Sequence, residues 1–142
     1  MNISAKTEYA CIAILELARR YSDNLPVRIK DISERHGIPN RFLVQILLQL
    51  KGAGLVISIR GASGGYRLAH PPKLISLGQV MAIVDGHSDQ LHQNSGNSTP
   101  LSAVLLSRWT KILEQQQTRL HEITFADLLE EAAGQSEAMY YI

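Results

Sequence analysis

The sequence predicts a mainly α-helical fold with one small β-hairpin and a long helix toward its C-terminal end. Three observations carry that expectation. Apolar residues recur at helical spacing, as in Ala10, Ala13, Ile14, Leu17 and Ala18. The texture reverses in one stretch: a β-branched run over Leu55–Arg60, the turn Gly61-Ala62-Ser63-Gly64-Gly65, and the alternating Tyr66-Arg67-Leu68-Ala69. Strand, glycine-rich turn and strand make a hairpin. Finally, Pro100 opens a segment without a further Pro or Gly to about His121, long enough for several helical turns.

The elements follow in order. Ser4–Arg20 is a helix, broken at Leu25-Pro26, and Val27–Ile29 is short and extended. Ile29–Arg35 is a brief helix with Ile32 inward, stopped by Gly37. Gly37-Ile38-Pro39-Asn40 leads into a second helix ending near Gly52, with Leu43, Ile46, Leu47 and Leu50 inward. Two short helices joined by a tight glycine-containing turn form a helix-turn-helix. A hairpin directly after it is the wing of a winged helix. Ser76–Val84 is amphipathic, with Leu77, Val80, Met81 and Val84 on one side, and His87–Thr99 is a polar loop. The long helix carries a stripe of Leu101, Leu105, Trp109, Ile112 and Leu120, interrupted by Gln116. A last short helix starts at a Thr124 cap and contains Phe125, Leu128 and Leu129.

Little chain remains to cover the long helix. Its simplest cover is the same helix of a second copy across a two-fold axis; the alternative is a return onto the first helix of its own chain. The chain divides into a winged helix-turn-helix over 1–84, whose first helix also packs on the dimer helix, a sensor-type loop over 85–99, and a dimerisation segment over 100–142.

Composition narrows the function. Of the 142 residues 45% are apolar, enough for a core, and 6% are aromatic, which points to aliphatic helix packing. The longest unbroken apolar run is Tyr9–Leu15, far short of the ~20 residues that span a bilayer. Lys6, Glu8 and Glu16 interrupt the N-terminal apolar stretch, unlike a secretory leader. A cytoplasmic protein with no membrane partner is expected. Cys11 is the single cysteine, so an intrachain disulfide is excluded. The net charge of +1 hides an asymmetry: residues 1–84 hold eleven Lys/Arg against five Asp/Glu, a balance of +6. Residues 85–142 hold three against eight, a balance of −5. A polyanion would meet the first part and not the second.

Double-stranded DNA fits that polyanion. Asn40, Arg41, Val44 and Gln45 lie in the first turns of the second helix, off its apolar face, where a recognition helix meets base edges in the major groove. Arginine pairs with guanine O6 and N7, and glutamine or asparagine with adenine. Arg60 stands at the base of the wing, placed for a narrow minor groove. Ser63, the Gly64 and Gly65 amides, and Tyr66 are candidate phosphate contacts, as are Arg28, Lys30, Lys51 and Arg67. An enzyme is disfavoured: the sequence lacks a nucleophile elbow, a metalloprotease motif, and a glycine loop leading into a helix. A winged helix serving as a protein-interaction module is the alternative, weakened by Arg41, Arg60 and the charge split.

The segments "TEYACIAILELA", "IKDISERHGIPNRFLVQILLQLKGAGLV" and "SIRGASGGYRLA", with "ISLGQVMAIVDG" and "ITFADLL" further on, resemble the Rrf2 family of winged-helix transcription regulators. The resemblance covers nearly the whole chain except the loop between His87 and Thr99. It implies a homodimer with crossed long helices on an inverted-repeat operator, most simply a repressor. By motif position it assigns DNA contact to Asn40, Arg41, Gln45, Arg60 and the Ser63–Tyr66 turn. This sequence departs from the family twice. An acidic base-reading residue that some members carry before the glutamine is Val44 here, which cannot accept from cytosine but can touch a thymine methyl. Cluster-binding members also carry three cysteines in the loop before the long helix; this chain has none there. A thiolate-ligated iron–sulfur cluster in that loop is excluded, and no cofactor is expected. Glu8, which matches a ligand position in some members, is then a surface charge. The signal would come from a small molecule, a partner protein, or neither. His87 and His92, with Asp89 between them, offer imidazoles for a metal, a minor alternative. Cys11 reads as an inert thiol.

Overall fold

The first helix, α1 (Ala5–Arg19), begins where Ser4 caps it, the Ser4 Oγ accepting from the Thr7 amide at 3.1 Å. Its apolar stripe is buried along the length of the helix: Ala10, Ala13, Ile14, Leu17 and Ala18. A computed structural model describes residues 1–86 and 98–140, with the backbone alone for 136–140. The remaining helices are α2 (Ile29–His36), α3 (Asn40–Gly52), α4 (Leu77–Asp85), α5 (Pro100–Glu122) and α6 (Phe125–Tyr140). Strands β1 (Val56–Ile59) and β2 (Gly65–Leu68) pair antiparallel, Val56 opposite Leu68 and Ile59 opposite Gly65. The fold is a mainly helical winged helix with one hairpin.

The turn between α2 and α3 is fixed locally. Gly37 adopts φ +66°, left-handed backbone that suits glycine. The amides of Gly37 and Ile38 both donate to the Ser33 carbonyl, and the Ser33 hydroxyl donates to the Ile38 carbonyl at 2.6 Å. Ile38 is thereby driven into the core. Pro39 stands just before α3 as its N-cap. Glu16 of α1 ties the pair to the body, meeting Arg35 at 3.2 Å and His36 at 2.9 Å, both of α2.

One core cluster joins the helix-turn-helix, the wing, α4 and the start of α6 among the described residues. Ile32, Leu43, Ile46, Leu47 and Leu50 of the helix-turn-helix join Leu55, Val56 and Leu68 of the wing and Ile75, Val80 and Val84 near α4. Phe125, at the start of α6, is completely buried in the same cluster. Its amide donates to the Ile75 carbonyl and the Leu77 amide donates to Ile123, both at 2.9 Å. These two bonds stitch the end of α5 to the start of α4. Thr124 caps α6 reciprocally with Asp127, and the bond from the Thr124 amide keeps the Asp127 carboxyl below the usual carboxylate range. The last helix, expected to be short, runs for 16 residues.

Helix α5 contacts α4 along one side. There a Cβ on buried Gly78 would run into the His121 ring, so the glycine lets that ring lie directly against α4. No residue of α5 is fully buried within the single chain. Leu101, Val104, Leu105, Trp109 and Ile112 form a continuous exposed stripe, Leu101 being 84% exposed and Trp109 46%. Leu120, expected on the same stripe, is half-buried. It sits about 80° round the helix from Ile112, on the side turned toward its own chain.

Candidate nucleic-acid interface

Burial of Leu43, Ile46, Leu47 and Leu50 turns the opposite face of α3 outward. Asn40, Arg41, Val44 and Gln45 are all exposed there, as the spacing required. Arg41 is also held in place: its guanidinium carbon lies 5.1 Å from the centre of the Phe42 ring, which in turn meets Tyr9 of α1 with ring centres 6.0 Å apart. Stacking a cation on an aromatic face restricts it without consuming its hydrogen-bond donors. At the far end of α3, Lys51 donates to the Ser58 hydroxyl of β1 at 2.8 Å, linking the helix to the wing. Gln49 anchors the helix from behind, donating to the Ile83 carbonyl at 2.7 Å.

The wing is held against the helix-turn-helix through its backbone. Val27 and Tyr66 exchange two amide–carbonyl bonds of 2.8 Å, which adds a third extended segment to the hairpin. A Cβ on Gly65 would lie 2.5 Å from the Val27 oxygen, so glycine there is a condition of the contact. Arg28 closes the same strap by donating to the Ala62 carbonyl in the turn.

These contacts engage four of the residues expected at phosphate, and occupy the Gly64 amide outright. The Gly64 amide donates to Gly61 at 3.0 Å inside the turn, and Gly64 is buried, so it does not face phosphate. The Tyr66 amide is spent on Val27. Arg28 braces the wing instead of standing free. Arg67 donates to the Asn24 side chain in the loop after α1. Arg60 and Ser63 stay exposed in the turn, beside Gly61, whose φ of +111° only glycine adopts readily. Lys30 is exposed and lies 3.9 Å from Glu34.

Asp85, the last residue of α4, closes the other end of the body. Its carboxylate accepts from the hydroxyls of Thr7 and, at 3.2 Å, Ser4, placing a negative charge at the N-terminus of α1. Cys11 lies nearby, half-buried, and burial with the Asp85 charge pushes its thiol up to about 11. Thiolate is the reactive form. Cys11 should therefore resist iodoacetamide at neutral pH in the folded protein and react readily in urea; equal rates in the two states would overturn its assignment as inert.

A thiolate-ligated iron–sulfur cluster does not fit this chain. The chain offers one cysteine, held protonated, and the described residues contain no group of three His, Cys, Asp or Glu side chains that could hold a metal. Glu8 is exposed. His87 and His92 lie outside the described residues. No helix among the described residues is long and apolar enough to cross a membrane.

Comparison with known proteins agrees with this geometry. Residues 3–131 match the family model Rrf2, described as an iron-dependent transcriptional regulator. An HTH-type transcriptional regulator of Synechocystis is 35% identical, over 100% of this chain and 99% of its own length. The regulator IscR of Vibrio cholerae is 37% identical over 91% of this chain and 75% of its own. Among solved structures, CymR, the global cysteine regulator of B. subtilis, superposes with a TM-score of 0.82 at 27% identity, over 92% of this chain and 98% of that one. The IscR of T. potens gives 0.75 at 33% identity, over 93% and 88%. With a winged helix, an exposed α3 face and a family match over nearly its whole length, the chain belongs to the Rrf2 family of DNA-binding transcription regulators.

Proposed function

We propose that this chain represses transcription as a homodimer, its two α3 helices and wings engaging the halves of an inverted-repeat operator without an iron–sulfur cluster. One observation carries the reading. Arg41, Val44 and Gln45 are exposed together on the side of α3 turned away from a fully buried leucine and isoleucine face, with Asn40 exposed at the start of the helix. That places donors and acceptors where a recognition helix meets base edges. The exposed stripe Leu101, Leu105, Trp109 and Ile112 supports the dimer, which the two half-sites of such an operator require.

The test is selection of bound sequences from random duplex DNA by metal-free protein at near-physiological salt. A two-fold symmetric motif is expected. Against that motif, Arg60→Ala should cost about 1–3 kcal/mol of affinity. Unchanged affinity in a folded variant would remove Arg60 from the interface, and recovery of no motif would favour a winged helix that docks a protein.

A further inference from the structure

The outward face of α3 is not wholly polar. At about 100° per residue, Arg41 and Leu48 stand opposite the centre of the buried side, with Val44 and Gln45 flanking them. Leu48 is 54% exposed and Val44 42%. The two are four residues apart, neighbours on one face. Phe42, the other exposed apolar residue of this helix, is already occupied by Tyr9 and the Arg41 guanidinium. Val44 and Leu48 have no such cover, and they lie among the side chains placed to read base edges. Water gains nothing from them. In the major groove the apolar group on a base edge is the C5-methyl of thymine.

We propose that Val44 and Leu48 form an apolar subsite that takes the C5-methyl groups of neighbouring pyrimidines, so that the operator is read by methyls as well as by hydrogen bonds. The subsite rests on the DNA-reading role of α3. Arg41 and Gln45 select by donor and acceptor pattern, while Val44 and Leu48 select by a group that carries no hydrogen bond. Leu48 thereby becomes a specificity-determining residue two turns beyond the N-terminal end of the helix, one turn past Gln45. A 5-methylcytosine presents the same methyl on a base with a different hydrogen-bonding edge, and the subsite would accept that methyl too.

Uracil differs from thymine by this methyl alone, which makes the contact separable. In the selected operator each thymine of one half-site is replaced in turn by uracil, and the Kd of the full-length protein is measured by fluorescence anisotropy. Uracil at one or two neighbouring positions should weaken binding about 3- to 5-fold per methyl, the loss of roughly one buried carbon group. Val44→Ala and Leu48→Ala should each bind the thymine duplex less tightly and stop distinguishing thymine from uracil at one position, with unchanged thermal unfolding. If every uracil duplex binds as tightly as its parent, or the motif has no neighbouring thymines, the subsite is refuted while the DNA-reading role stands. If no motif is selected at all, that role fails and the subsite fails with it.

Discussion

Trp109→Glu combined with Ile112→Glu is expected to leave a folded monomer that binds its operator 10²–10⁴-fold more weakly, the factor by which linking two binding modules raises avidity. Burying a side chain of this size contributes about 1.5–3 kcal/mol. Both are about half exposed in the single chain, at 46% and 53%, so roughly half of that is at stake for each. A two-fold interface uses each residue twice. Four side chains then amount to about 3–6 kcal/mol, a 10²–10⁴-fold rise in the dimer dissociation constant. Four buried glutamates raise it further. Neither residue belongs to the core, so circular dichroism should report the same helix content while light scattering reports half the mass. A full dimer mass for this variant would place the interface elsewhere on the molecule.

Much of the fold was legible because local chemistry dictated it. Gly37 must turn left-handed, the β-branched Val56–Ile59 must pair, and four inward leucines and isoleucines must point α3 outward. Leu120 was harder, since a stripe read by spacing alone does not say where the chain's own cover ends and a partner begins. The Gly64 amide was hard to place for a related reason. A glycine suggests an amide free for phosphate, yet Gly64 and the Gly65–Val27 contact exist to let backbone meet backbone. Contacts between distant residues left no trace in the pattern. Thr7 with Asp85, Arg67 with Asn24 and Gly78 with His121 each join residues more than 40 positions apart. The outward position of Leu48 follows from the helical period, but an apolar residue on an exposed face attracts notice only when its neighbours are known to be uncovered.

Phe125→Ala should be the most destabilising single truncation, because among the described residues it empties the one aromatic side chain that is fully buried in the core. Removing a buried phenylalanine ring costs about 3–5 kcal/mol, and a chain of this size holds roughly 7–20 kcal/mol in total. A fall in Tm of roughly 10–15 °C follows. Phe125→Leu, which refills most of the space, should recover more than half of it. The position matters beyond the volume. Phe125 sits between the Ile75 carbonyl that its amide meets and the Ile123–Leu77 bond, where the end of α5 is fastened to the start of α4. Loosening that joint frees the long helix from the body that carries α3 and the wing, so the two α3 helices of a dimer would lose their fixed separation. Operator affinity in Phe125→Ala should therefore fall at temperatures well below its Tm, whereas affinity for a single half-site should not. A variant whose full-operator binding stays normal until it unfolds would show that the α4–α5 joint carries stability alone, and that the spacing of the reading heads is set by the α5 interface itself.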